Sequence, residues 1–215
     1  METFVIDLPK NTMIASFELM NGHYITFDEY IEMDVEGAFL EWVDGKVIGF
    51  MSNNLHHQRI LRFLATVMGL FVEVHGLGEV VHAGYAMKLE VQRRGREPDL
   101  IFVSKKNAEI LKHKYLDGAA DIAVEIVSPE SVERDRKIKF SEYGAAGIKE
   151  YWLIDPECQT AEFYRLGENG FYKLIETSDG VFKSEVLPGF FLSISWLWQE
   201  PLPTLAVLKE LDLVK

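Results

Sequence analysis

The feature that most constrains the fold is a nearly unbroken apolar run at residues 121–127, which carries one carboxylate, Glu125, near its centre. A strand that is apolar on both faces is typical of a sheet covered on both sides. A second apolar run, at residues 98–103, begins with Pro98 and Asp99, and proline suits the first position of a strand, where no ladder donor is needed. Because burying an unpaired charge is costly, we expect both carboxylates to have a partner.

The rest of the chain alternates between helical and strand patterns, which together predict the fold class. Residues 55–74 repeat apolar side chains at helical spacing, and residues 150–154 form another apolar strand. The Asp-Gly pair at positions 44 and 45 is typical of a tight hairpin. Further alternating strands are expected at residues 160–165, 171–176 and 182–187. We therefore expect an α/β or α+β fold, in which helices flank a mixed central sheet with an antiparallel C-terminal extension.

Four other segments give more local expectations. Thr26, with a glutamate three residues on, has the pattern of a capping box at the start of a short helix. A longer helix is expected over residues 128–146, because its second residue is a proline and proline suits the first turn of a helix. Residues 92–95 read as a polar turn, and the strongly apolar residues 187–198 predict either a core strand or the surface of a homodimer.

Composition narrows the class of protein. A length of 215 residues predicts a single domain, and the one cysteine, Cys158, excludes an intrachain disulfide and favours a reducing cytoplasm. No run approaches the roughly 18 apolar residues of a membrane span. The net charge of −12 counts against indiscriminate binding of nucleic acid. Residues 88–139 nevertheless hold 12 of the 22 basic and only 10 of the 34 acidic residues, so a local basic face remains open.

The two carboxylates in apolar strands predict a metal site. Strands that follow one another in sequence are often neighbours in a sheet, so Asp99 and Glu125 can converge. Two carboxylates and several waters suit Mg²⁺, which can activate water and stabilise charge on a phosphodiester. A nearby lysine would help to deprotonate that water or neutralise the transition state.

These residues form a pattern that resembles the PD-(D/E)XK nuclease superfamily, and more narrowly the Uma-two family of endonucleases. The resemblance covers about residues 25–195 and lies above all in the stretches 41–47, 98–100, 121–129, 134–139 and 143–156. It implies a restriction-endonuclease-like fold over that core. It also implies hydrolysis of DNA with Mg²⁺ or Mn²⁺ bound by Asp99 and Glu125.

The chain departs from the superfamily pattern at the motif lysine. The (D/E)XK tripeptide should end in lysine two residues after Glu125, but that position is Val127. In such folds a lysine on the following helix can replace it, and Lys139 is the candidate. Helical spacing places Lys139 on one face with Asp135 and Tyr143.

Two further residues are candidates for the same site, and each expected role has an alternative. His57 lies at the start of the long predicted helix, where the resemblance favours a histidine facing the site, and Glu41 would supply a third carboxylate. His57 could instead be a cap or surface residue, and Glu41 a hairpin surface residue. Asp99 could serve a turn, Glu125 could form a buried salt bridge to Lys139 or Arg136, and the Asp135–Lys139 pair could be exposed.

The chain as a whole also allows a second function. A non-catalytic module of the same fold, acting in DNA binding or protein interaction, would account for Val127 and for the net acidity. Metal binding at Asp99 and Glu125 separates the two hypotheses. A homodimer is compatible with either of them.

Overall fold

The computed structural model describes residues 16–19, 24–33, 39–50 and 54–215. Its strands are β1 (Ser16–Leu19), β2 (Phe39–Val43), β3 (Lys46–Phe50), β4 (Gly78–His82), β5 (Ala86–Leu89), β6 (Arg94–Arg96), β7 (Leu100–Ser104), β8 (Tyr115–Leu116), β9 (Ile122–Ile126), β10 (Glu150–Asp155), β11 (Thr160–Leu166), β12 (Tyr172–Leu174), β13 (Val181–Lys183) and β14 (Phe191–Ser193). The α-helices are α1 (Phe27–Ile31), α2 (Leu55–His75), α3 (Phe140–Ala146) and α4 (Thr204–Glu210). Residues Lys105–Ile110 and Ile194–Trp198 are 3₁₀-helical, and Arg134–Lys139 is π-helical.

Two mixed sheets carry the architecture. The first sheet has the order β1-β3-β2-β6-β5-β8, and the second has the order β12-β11-β10-β9-β7-β4. In the second sheet β9 and β10 are parallel, whereas β7 runs antiparallel to β9. Mixed sheets with flanking helices confirm the predicted α+β class. Where one central sheet was expected, the described residues form two six-stranded sheets.

The second sheet is covered on both faces, as the apolar run of β9 predicts. On one face Ile122, Val124 and Ile126 pack in a cluster with the buried stripe of α2. On the other face Ala123 and Val127 join a separate cluster that contains Tyr143 of α3. Each large apolar side chain buried in this way contributes roughly 1.5–3 kcal/mol relative to exposure.

Local sequence signals place the ends of several elements where they were expected. Asp44 and Gly45 both have positive φ, at 50° and 87°, which is the backbone of the hairpin that joins β2 and β3. The capping box at Thr26 forms at the start of α1. Helix α2 ends at Gly76, which adopts the left-handed conformation that favours glycine.

Two predicted elements differ in the structure. The polar turn expected at residues 92–95 overlaps β6, which begins at Arg94. The prediction is wrong for residues 94 and 95, because the Arg-Gly-Arg sequence has no apolar side chain to reveal a strand. Glu142 accepts hydrogen bonds from both arginines, so ion pairs take the place of apolar contacts. Strand β13 pairs with β14 in a separate small sheet and does not extend the second sheet, whereas β11 and β12 do.

The apolar segment at residues 187–198 packs into the core of the protomer. Leu187, Phe190, Leu192 and Leu197 are all buried there. Burial within one chain therefore accounts for the apolar character of this segment. Homodimer formation stays a prediction, but this segment no longer supports it. Among the described residues, no helix combines the length and apolar character needed to cross a membrane.

Candidate active site

Antiparallel pairing of β7 with β9 brings Asp99, just before β7, and Glu125, near the end of β9, to the same end of these two strands. Leu100 pairs with Val124, so Asp99, one residue earlier, lies opposite Glu125. The Asp99 carboxylate is anchored through Oδ2, which accepts the backbone N–H of Ile126 at 2.7 Å. The register of two strands therefore fixes the relative position of the two carboxylates.

Lys139 reaches Glu125 from the helical segment that covers the same face of the sheet. Its Nζ donates to Glu125 Oε1 at 2.9 Å and lies 3.1 Å from Glu41 Oε1 and 3.6 Å from Asp135 Oδ1. The side chain is only 2% exposed. Lys139 is thus a buried cation enclosed by three carboxylates, which satisfies the requirement that buried charges be paired.

Glu41 joins the site from the first sheet, where it lies on β2. Its Oε2 accepts a hydrogen bond from Nη1 of Arg96 at 2.6 Å. Burial by itself would raise the pKa of Glu41, but the Lys139 and Arg96 cations outweigh it and lower the pKa to about 2. Glu41 is therefore ionised at neutral pH, and its charge links Arg96 of the first sheet to Lys139 of the helical segment.

Glu125 has the opposite charge preference. Burial raises its pKa to about 8, and the neighbouring charges of Asp135 and Asp99 act in the same direction against Lys139. The Tyr143 hydroxyl donates to Glu125 Oε1 at 2.8 Å. Both Tyr143 and Lys139 bind the same oxygen, so Oε2 is the oxygen of Glu125 that these two bonds leave for another ligand.

Lys139 itself remains protonated. Burial opposes its charge, but the carboxylates of Glu125 and Glu41 prevail and raise its pKa above the ordinary value. A lysine with a raised pKa is a poor general base at neutral pH. Of the two expected roles of the lysine, charge neutralisation is the one that a protonated amine can perform.

His57 faces Asp99 from the first turn of α2. Its backbone N–H is capped by the side chain of Asn54, and its Nε2 lies 3.1 Å from Asp99 Oδ2. Because an ionised carboxylate only accepts hydrogen bonds, Nε2 carries the proton in this contact. The other ring nitrogen, Nδ1, is buried and has no hydrogen-bond partner among the described residues.

These side chains line a small cleft of about 50 Å³ between the two sheets. At roughly 10–15 Å³ for each water, this volume accommodates an ion with a few waters. The cleft is also lined by Glu97, which the sequence reasoning missed. Burial raises the pKa of Glu97 to about 7, and the Tyr30 hydroxyl lies 3.0 Å from its Oε1. The one sequence signal that could have pointed to Glu97 is its position two residues before Asp99.

Residues 27–195 match the Uma2 family model, which is described as "Putative restriction endonuclease". The chain belongs to the Uma2 family. Its fold is similar to the crystal structure of a "putative nuclease belonging to DUF820" from Anabaena variabilis ATCC 29413. That match has a TM-score of 0.67 and 21% identity over 81% of this chain and 97% of the other. No curated protein matches the chain.

In this Uma2 chain the five residues singled out from the sequence lie at one site. Asp99, Glu125, Lys139, His57 and Glu41 all line the cleft. The alternatives that placed His57 or Glu41 on the surface are wrong, because both are buried. The Asp135–Lys139 pair is likewise buried and not exposed. The buried salt bridge between Glu125 and Lys139, offered as an alternative, does form and is part of the same cluster.

The structure also explains how this Uma2 chain accommodates Val127. Every second residue of a strand lies on the same face, so residues 123, 125 and 127 share one face of β9 and the segment after it. Val127 is buried there in the cluster that contains Tyr143. Because the helical segment of Lys139 covers that face, the lysine supplies an amine to Glu125 from above the sheet. Position 127 is left free for an apolar residue.

Proposed function

We propose that the protein is a Mg²⁺- or Mn²⁺-dependent endonuclease that hydrolyses phosphodiester bonds in DNA. One observation carries the proposal: Asp99 and Glu125 lie opposite each other on paired strands, and the Lys139 amine is 2.9 Å from Glu125. Membership of a family described as "Putative restriction endonuclease" supports the same conclusion. The position of the two carboxylates, the neighbouring amine and the family description all support this proposal.

The donor set of the cleft fits a magnesium ion that keeps most of its waters. These bonds engage Asp99 Oδ2 and Glu125 Oε1, and the second oxygen of each carboxylate would serve as a ligand. No group of three or more His, Cys, Asp or Glu side chains in the described part of the chain forms a complete metal site. Mg²⁺ does not require one, because it commonly binds through one or two carboxylates plus water and substrate phosphate. Asp99 and Glu125 would hold the ion.

The bound ion would lower the pKa of a water ligand and polarise the scissile phosphate. Lys139 would hold the Glu125 carboxylate in place and offset negative charge near the attacking water. His57 would orient Asp99 by donating from Nε2. Glu41 would keep Lys139 charged and fixed, so it acts as a positioning residue.

The test is cleavage of supercoiled plasmid and linear duplex DNA with Mg²⁺ or Mn²⁺ by the wild-type protein and by Asp99→Asn. We expect the substitution to slow cleavage at least about 100-fold, because a bound metal supplies several kcal/mol and each ~1.4 kcal/mol is tenfold in rate. Calorimetry should show one Mg²⁺ site in the wild type and none in the variant.

Asp117→Asn provides the matched control, because it makes the same chemical change at an exposed residue. It should cleave DNA and bind Mg²⁺ as the wild type does. Cleavage that survives Asp99→Asn would rule out this site as the catalytic centre.

A non-catalytic module of the same fold is the second candidate, and one observation favours it. The Lys139 amine lies 2.9 to 3.6 Å from side-chain oxygens of Glu125, Glu41 and Asp135, so its charge is already paired inside the protein. DNA binding by the wild type without cleavage in either metal, and without a Mg²⁺ site in calorimetry, would favour this module.

A further inference from the structure

We propose that Tyr143 is a positioning residue of the metal site, whose hydroxyl holds Oε1 of Glu125 so that Oε2 is available to the ion. The inference rests on the proposed function, because it concerns the Mg²⁺ that Asp99 and Glu125 would bind. Groups that hydrogen-bond a metal-ligating carboxylate orient it, and losing one typically weakens metal binding about 10- to 100-fold.

Glu125 has only one other side-chain anchor among the described residues, and that anchor is shared. The Lys139 amine donates to Oε1 at 2.9 Å, but it also lies 3.1 Å from Glu41 and 3.6 Å from Asp135. An ammonium is a compact point charge on a flexible stem, with donors that rotate. Lys139 therefore neutralises Glu125 more than it aligns the carboxylate.

Tyr143 supplies a second anchor from a fixed place. Its hydroxyl donates to Glu125 Oε1 at 2.8 Å, and the residue is fully buried. Its ring packs edge-on against that of Tyr151, with 5.1 Å between the ring centroids. Because a rigid ring carries the hydroxyl and close packing fixes the ring, the position of the phenolic oxygen is fixed as well.

The helical segment brings both anchors to the same oxygen. Tyr143 lies on α3, which begins directly after the π-helical residues that end at Lys139. Residues four apart on a helix are neighbours on one face, and these two both bond Oε1 of Glu125. One charged and one neutral donor thus hold one oxygen of the carboxylate.

Two neighbouring tyrosines show the contrast with a hydroxyl that only supports the backbone. Tyr151 donates to the carbonyl of Asp135 and Tyr172 to that of Ile148, each at 2.9 Å. All three rings pack in the same apolar cluster. Of these three hydroxyls, only that of Tyr143 bonds a proposed metal ligand.

The test is calorimetric titration of the full-length protein with MgCl₂. Tyr143→Phe removes the hydroxyl and keeps the ring, so its dissociation constant for Mg²⁺ should rise about 10- to 100-fold. Tyr172→Phe is the matched control, because it makes the same change at a hydroxyl bonded to a backbone carbonyl. That control should bind Mg²⁺ within about threefold of the wild type.

A second measurement, the dependence of DNA cleavage on Mg²⁺ concentration, separates positioning from damage to the fold. In Tyr143→Phe the half-saturating Mg²⁺ concentration should rise by the same factor as the dissociation constant. The rate at saturating Mg²⁺ should stay within about threefold of the wild type, because the bound ion then holds the carboxylate. Both variants lose one hydrogen bond, so without metal each should unfold within about 4 °C of the wild type.

The outcomes are distinguishable from failure of the proposed function. If the wild type has no Mg²⁺ site, or if Asp99→Asn binds Mg²⁺ equally well, the proposed metal site fails and the role of Tyr143 falls with it. If the wild type binds Mg²⁺ through Asp99 and Tyr143→Phe stays within about threefold of its dissociation constant, only the role of Tyr143 is overturned. An equal loss of affinity in Tyr143→Phe and Tyr172→Phe would also overturn it, because the hydroxyls would then act through the fold.

Discussion

Replacing Lys139 by methionine tests whether its amine is the charge that makes the buried acidic cluster tolerable. Methionine has a similar length and no charge, so the substitution leaves Glu125, Glu41 and Asp135 around an apolar group. Removing one partner of a buried ion pair costs about 3–5 kcal/mol, because the other charge stays buried and uncompensated. Lys139 and its three partners are each at most 4% exposed, so the full penalty should apply.

The free energy of unfolding is the quantity to measure, by urea titration followed with far-UV circular dichroism at pH 8.5 without divalent cations. Lys139→Met should lose about 3–5 kcal/mol. For a domain of this size about 2–4 °C accompanies each kcal/mol, so the unfolding temperature should fall by about 6–20 °C. At pH 6 the loss should be smaller, because Glu125, whose pKa is about 8, then takes up a proton.

Lys137→Met is the control, since it removes a lysine from the same segment at an exposed position. An exposed ion pair contributes about 0–1 kcal/mol, so this variant should remain close to the wild type. Adding Glu125→Gln to Lys139→Met should recover part of the loss, which a double-mutant cycle would quantify. If Lys139→Met and Lys137→Met unfold within 1 kcal/mol of each other, the reasoning about the buried cluster is wrong.

Three further predictions concern pH, packing and capping. The pKa of Glu125 rises from an ordinary 4.5 to about 8 on folding, so its contribution to stability should be lost as pH rises through 8. The rise in unfolding temperature caused by Mg²⁺ should therefore be larger at pH 8.5 than at pH 6.5, and equal rises would contradict this. Gly95→Ala should cost about 1–3 kcal/mol in urea unfolding, because its Cβ would lie 2.7 Å from the Phe27 ring. Gly69→Ala, in open space on α2, should stabilise by up to about 1 kcal/mol; the opposite order would refute the packing argument. Asn54→Ala should cost about 1 kcal/mol by removing the N-cap of α2, and an unchanged urea midpoint would show that the cap is dispensable.

Much of the fold was predictable because it depends on local signals. The continuous apolar run of β9 predicts a strand buried on both faces, and the apolar stripe of α2 follows the period of a helix. The Asp-Gly hairpin and the capping box follow from the conformational preferences of a few residues. Strand β6 escaped prediction because its arginines are neutralised by Glu142, a residue 46 positions from Arg96. No window of sequence contains that pairing.

The candidate site, like the fold, was predictable from the sequence only in part. The sequence pointed to Asp99 and Glu125 because carboxylates are conspicuous in apolar strands, and to Lys139 because helical spacing placed it on one face with Asp135 and Tyr143. It could not show that Glu41, from the first sheet, would lie 3.1 Å from the same lysine. It also gave no indication that Arg134 would line the cleft.

The sequence by itself determined most of the segments that become strands and helices, and which polar residues are too costly to bury alone, because both depend mainly on near neighbours in the chain. Only the tertiary structure decided how the charges are balanced. The register of β7 against β9, the approach of β2 from the first sheet and the helical segment above Glu125 bring distant groups within a few ångströms. At that range, in a buried site, Coulomb interactions and desolvation set the protonation of Glu125, Glu41 and Lys139.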